Sequence, residues 1–183
     1  MLDIPCGDMT WMPLLIRNRT DIDYIGMDIV PDLIASHQEH YRDVPHMNFV
    51  QGDIVSVGLE RSYDLIFTRE MTQHLRDADG LKMFKHVSTS GSNFLLATSI
   101  PAPYVKKNED VQIVLQTTDK RYKDFKDLRR YRKQNLEIPP FNFGRPLCLS
   151  VDVDEEHLNL WKLPLYAADK YLHYMYIISM TKE

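Results

Sequence analysis

The chain has 183 residues, 44% hydrophobic and 26% charged, with a net charge of −4. That fits one globular domain able to bury about two thirds of its unfolded surface; the negative balance argues against gripping nucleic acid by bulk charge, and no nucleic-acid partner is expected. No apolar run approaches the ~20 residues of a membrane span, and two cysteines, Cys6 and Cys148, form neither a disulfide framework nor a metal-site spacing, so the expected compartment is reducing and cytoplasmic.

Residues 1–4 read as a short strand, followed by a Pro5-Cys6-Gly7-Asp8 turn and a helix from about Thr10 to Asn18. Tyr24 to Val30 is the second strand. Pro31 suits the first turn of the helix that follows it. His46–Gly52 and Tyr63–Thr68 are the third and fourth strands, the latter an apolar run expected to be covered on both faces. Met71 to Ser88 reads as a helix and Asn93 to Ser99 as the fifth strand. Residues 102–146 are irregular and polar, with a charge run, DKRYKDFKDLRRYRK, and a Pro-Phe cluster, EIPPFNFGRP. Leu147–Val151 and a last strand, Leu172–Met180, form a hairpin-like pair. The alternation predicts an α/β fold: a doubly wound, mostly parallel sheet with an antiparallel last strand, in a three-layer sandwich. Residues 1–183 read as one domain, with 102–146 as an insertion on the substrate side. The first strand is short for a buried parallel sheet, so it is either clipped or the start of a piece of a longer protein.

Three strands each lead into an aspartate: Asp3, Asp28 and Asp53. Right-handed crossovers place those strand ends on one edge of the sheet, where an open α/β sheet binds a nucleoside. Each acid also has an ordinary reading: Asp3 as a helix cap or surface group, Asp28 as a loop acid, Asp53 as a turn cap. The turn lacks the glycines a dinucleotide site uses.

Order and spacing resemble class I S-adenosylmethionine-dependent methyltransferases, and a subgroup with a D-I-P-C-G-D first motif followed by an aromatic, here Trp11. Further matches are Arg69, His74-Leu75, Asn135-Leu136, Pro140-Phe141-Asn142-Phe143 and Leu160-Trp161. The first motif departs from the common pattern, with Pro5 and Met9 where glycines are usual. The resemblance implies a Rossmann-like fold and S-adenosylmethionine as cofactor, S-adenosylhomocysteine being the product. It implies a cofactor surface of Asp3, Pro5, Cys6, Gly7, Trp11, Asp28 with Ile29, Asp53 with Ile54, and Thr68. Asp28 is then the ribose carboxylate, and Asp53 with the Ile54 N–H reads adenine.

Methyl transfer needs alignment and desolvation more than a covalent nucleophile or a metal. A hydroxyl or amine acceptor gains from a general base, for which His74 and Glu70 are candidates beside Arg69. Against this, Glu70 also suits a helix cap and His74 a solvent-facing position. Arg132, which the resemblance carries, is the expected acceptor-binding residue, with Tyr131 replacing the subgroup's tryptophan; the arginine run as a whole fits a solvated helix face. Phe141, Phe143 and Trp161 read as core or lid packing, and Cys6 as packed in its turn. No histidine spacing supports a metal. The expectation is a methyltransferase acting on a small-molecule or glycan acceptor, at oxygen, by in-line displacement; the alternatives are an inactive module keeping the fold and another nucleotide-using Rossmann-like enzyme.

Overall fold

The computed structural model describes residues 1–100, 104–108, 132–151 and 157–164. Its elements are β1 (Leu2–Asp3), α1 (Met12–Ile16), β2 (Tyr24–Asp28), α2 (Pro31–His40), β3 (Met47–Gln51), β4 (Leu65–Thr68), a 3-10 turn (Thr72–His74), α3 (Asp77–Thr89), β5 (Phe94–Ser99), β6 (Cys148–Val151) and β7 (His157–Lys162). The strands form one seven-stranded sheet in the order β3-β2-β1-β4-β5-β7-β6. β1 to β5 pair in parallel, and β7 runs antiparallel to both β5 and β6. The α/β, doubly wound expectation holds, antiparallel pair included. Among the described residues β6 pairs with His157–Lys162; the expected last strand, Leu172–Met180, lies outside them.

The period of two along each strand divides the core between two faces. On one, Ile25, Ile54, Ile66 and Leu95 pack under Met83, Phe84 and Val87 of α3. On the other, Tyr24, Phe49 and Phe67 pack with Ile34, Tyr41, Met12 and Ile16. Asp3 pairs with Gly26 in register, and Gly26 with Phe49. A Cβ on Gly26 would lie 2.7 Å from the Phe49 ring and 3.0 Å from the Cys6 Cβ, so glycine admits that ring.

Two helices differ from expectation. α1 is shorter than Thr10–Asn18. The Thr10 N–H donates to Asp8 Oδ1 at 3.0 Å, which holds the entry as a turn, and Pro13 sits in the first helical turn. The predicted 71–88 helix is broken: Leu75 and Arg76 are extended, with ψ 151° at each. Arg132 fills the break, donating from Nη2 to the Leu75 carbonyl at 2.6 Å and pairing with Asp77 at 2.7 Å. Asp77 and Asp79 then lie in the first turn of α3, where negative charge suits the helix dipole.

Residues 132–143 pack into the α3 face. Phe141, Phe143 and Trp161 are fully buried, and the Phe84 and Phe143 ring centroids are 4.6 Å apart. Asn108 donates to the Asn135 carbonyl at 2.7 Å and accepts the Asn135 N–H at 2.8 Å. The Leu136 N–H donates to Ser99 Oγ at 2.9 Å, fixing the segment to the end of β5.

Candidate active site

Hydrogen bonding continues past β1 on both sides: the Ile4 N–H donates to the Phe67 carbonyl and the Cys6 N–H to the Met27 carbonyl, each at 2.9 Å. Pro5 and Cys6 then lead into Gly7, whose φ of +57° is the left-handed region that favours glycine. The Gly7 N–H donates to Asp28 Oδ2 at 3.2 Å and the Val30 N–H to Asp28 Oδ1 at 3.1 Å. Asp28 is 6% exposed. Each of its oxygens accepts one N–H and keeps capacity for another donor, as a ribose diol requires.

Asp3 is 2% exposed and accepts the Tyr24 hydroxyl at 2.7 Å. Burial pushes its carboxyl up to about 7, against the opposing pull of the Tyr24 hydroxyl and with a further push from the Asp28 charge. Burial, then the charges of Asp3 and Asp28, push the Cys6 thiol up to about 12, so it is no nucleophile at neutral pH. Trp11 packs edge-on against Phe67, with ring centroids 5.8 Å apart, and the Arg69 guanidinium lies 5.4 Å from the Trp11 ring centre. Ile29 is exposed beyond Asp28.

After β3, Asp53 caps its own turn. Oδ1 accepts the Val55 N–H at 3.0 Å and Oδ2 the Ser56 hydroxyl at 2.5 Å. These bonds, the Ser56 hydroxyl first, hold its carboxyl below the usual range. Ile54 is buried, and its carbonyl accepts from His86 Nδ1 at 2.7 Å. Thr68, at the end of β4, is 2% exposed, and its hydroxyl has no hydrogen-bond partner among the described residues. Such a buried group calls for an explanation, and a bound ligand supplies one. Glu70 has a φ of +56°, its N–H donates to Thr98 Oγ1 at 3.2 Å, and its carboxylate accepts from Gln73 Nε2 at 3.3 Å. A non-glycine residue held there stores strain of about 1–3 kcal/mol, and such positions cluster at functional sites.

Acids and a tight glycine turn thus share one sheet edge with an orphaned hydroxyl. Residues 1–90 match a family model described as a methyltransferase domain. Residues 1–90 thus carry a methyltransferase domain, and the chain is similar there to class I S-adenosylmethionine-dependent enzymes. It is 25% identical over 87 residues to malonyl-[acyl-carrier protein] O-methyltransferase 1 of Ilyobacter polytropus, a match covering 48% of this chain and 32% of that enzyme. The chain therefore aligns with about a third of that relative's length. Among solved structures, its fold is similar to PigF with S-adenosylhomocysteine (TM-score 0.60, 14% identity, 88% of this chain and 49% of that one). It is also similar to LaPhzM (0.61, 11% identity, 87% and 48%) and to the methyltransferase domain of bacterial CtHen1 (0.60, 12% identity, 88% and 89%).

After β4, the 3-10 turn faces Gln73 inward at 1% exposure and leaves His74 exposed. Arg132 is 6% exposed, with its guanidinium engaged by Leu75 and Asp77. Tyr131 lies outside the described residues. Tyr24, His37, Gln73 and Thr98 escaped the sequence reading. Each is a polar side chain in an ordinary helix or strand pattern, and its place is set by contacts distant in sequence. Among the described residues, no helix is long and apolar enough to cross a membrane and no three His, Cys, Asp or Glu side chains form a metal-ion cluster.

Proposed function

We propose that this chain binds S-adenosylmethionine at the β1–β4 edge and transfers its methyl group to a small-molecule or glycan acceptor, at oxygen, in the cytoplasm. The observation carrying this reading is the buried Asp28 carboxylate, held by the Gly7 and Val30 N–H groups with acceptor capacity left over. The cofactor supplies a methyl group on positive sulfur, ready for in-line displacement. The chain supplies the rest. Asp28 receives the ribose hydroxyls, Asp3 in its ionised form offers negative charge under the turn, Ile29 flanks the adenine, and Asp53 with the Ile54 N–H reads its edge. The unpaired Thr68 hydroxyl is left to serve the reacting end, with Trp11 and Arg69 beside the turn. Glu70, held by Gln73, is placed to take the acceptor's proton, with His74 able to relay it to solvent. Arg132 anchors the turn that carries Gln73, and the acceptor-binding role is assigned to Arg132 and Tyr131. Residues 1–183 act as one domain, with 102–146 on the acceptor side.

The test is calorimetric titration of the full chain with S-adenosylmethionine and S-adenosylhomocysteine, beside D28A. Micromolar binding that weakens about 100-fold or more in D28A supports the site, since a charged group's hydrogen bonds are worth about 1.5–3 kcal/mol each. Absence of binding by the intact chain refutes the cofactor reading. Labelled methyl transfer into hydroxyl-bearing, then amine-bearing, acceptors tests the choice of oxygen.

A further inference from the structure

We infer that His37 is a positioning residue for this site, locking the Gly7 peptide and, through it, the Asp28 carboxylate; this rests on the proposed function. His37 lies on α2, is 7% exposed, and its Nε2 is 2.7 Å from the Gly7 carbonyl, 30 residues away in sequence. A carbonyl only accepts, so the imidazole donates. The ring is itself held in place: its centroid is 5.1 Å from that of Phe49 and 6.3 Å from that of Tyr41. Gly7 is therefore gripped at both ends of its residue, His37 holding its carbonyl and Asp28 its N–H.

That grip acts on a turn with few other restraints. Gly7 has a backbone open to both signs of φ, and a Cβ built on it would meet nothing within 4 Å. Packing does not fix its orientation, so hydrogen bonds must. Without the His37 bond, the Gly7–Asp8 peptide is free to turn. The unrestrained Gly7 φ and ψ then let the adjoining Cys6–Gly7 peptide shift, its N–H leaves Asp28 Oδ2, and the carboxylate loses one of its two orienting donors. The Asp28 carbonyl also accepts the Gly52 N–H at 3.0 Å, tying this strand end to the one before Asp53. His37 thus acts on the ligand through another residue and touches no reacting atom.

The test uses the full chain, S-adenosylhomocysteine as probe, and the variants H37F and H37Q, alone and with D28A. H37F keeps the ring against Phe49 but lacks the donor; H37Q restores an N–H of similar reach. H37F is expected to bind about 5- to 10-fold more weakly, the effect of one lost hydrogen bond, with H37Q recovering to within about twofold of the parent. In the D28A background, H37F should change affinity less than about twofold, because the two residues act in one chain. Unchanged affinity in H37F, or an equal loss with and without D28A, would overturn the inference. Exchange of the Gly7 amide in the ligand-free protein is the independent readout: faster exchange in H37F supports the lock and unchanged exchange overturns it. That readout stands even if the parent binds no S-adenosylhomocysteine, an outcome that sinks the proposed function alone.

Discussion

The α3 face of the sheet is closed by four rings, Phe84, Phe141, Phe143 and Trp161, none of which titrates. The α2 face is also ring-rich, with Tyr24, Phe49, Tyr41 and His37 meeting around Phe49. There, however, polar tips run between the rings: the Tyr24 hydroxyl to Asp3 and the His37 imidazole to Gly7. The ring cluster of the first face is held by volume and apolar area. The second must also satisfy its buried polar groups, each of which is expensive to leave unpaired. Damage to the α3 face should therefore lower stability alone, whereas damage to the α2 face should also change ligand affinity and pH dependence.

The largest break in that contrast is W161A, which should destabilise by about 3–5 kcal/mol through cavity formation, seen as a shifted denaturant midpoint. In the fraction that stays folded, ligand affinity should be unchanged; a selective loss of affinity would contradict the division of roles. The next effect is on pH. The Asp3 carboxyl sits at about 7 against an ordinary 3.8, so between those values the folded protein holds a proton that the unfolded chain has lost. Its stabilising contribution is complete below about pH 4 and is lost as pH rises through 7, by up to ~4 kcal/mol. Melting temperature should fall over that window, and D3N should flatten the fall while keeping an acceptor for Tyr24.

G26A comes third, at about 1–3 kcal/mol, because the added methyl meets a Phe49 ring that Tyr24, Tyr41 and His37 hold in place. A melting temperature equal to the parent's would show that the ring moves aside freely. Y24F is the finest probe. Losing the hydroxyl costs about 0.5–1.5 kcal/mol and removes the bond that favours ionised Asp3. The pH at which stability falls should therefore shift upward, and a downward shift would show that the hydroxyl does not serve Asp3.

Much of this was legible in the sequence because it is local. Strand-ending acids, the Pro-Cys-Gly-Asp turn and Pro31 at the start of α2 depend on periodicity and backbone preference. What escaped depends on partners far along the chain. The helix break at Leu75 arises because Arg132, 57 residues later, takes the Leu75 carbonyl. That same break turns Gln73 inward and His74 outward, an exchange invisible in a continuous helical pattern. His37 sits within α2 and Tyr24 opens β2, and neither neighbourhood announces Gly7 or Asp3. The β7 strand escaped because its pairing with β5 joins residues far apart in the chain.

β1 has only two residues, yet it lies between strands whose paired positions are Ile25 on one side and Ile66 on the other. Its residues are made before either neighbour, but they cannot finish pairing until synthesis has passed Thr68. The turn that carries Gly7 is thus completed late in folding although it is translated early. A fragment ending before β4 would contain Asp3, Gly7, Asp28 and Asp53, but β1 would be paired on one side only. Ligand recognition should therefore appear abruptly with chain length, once β4 is included, and not grow in proportion to the number of acids present.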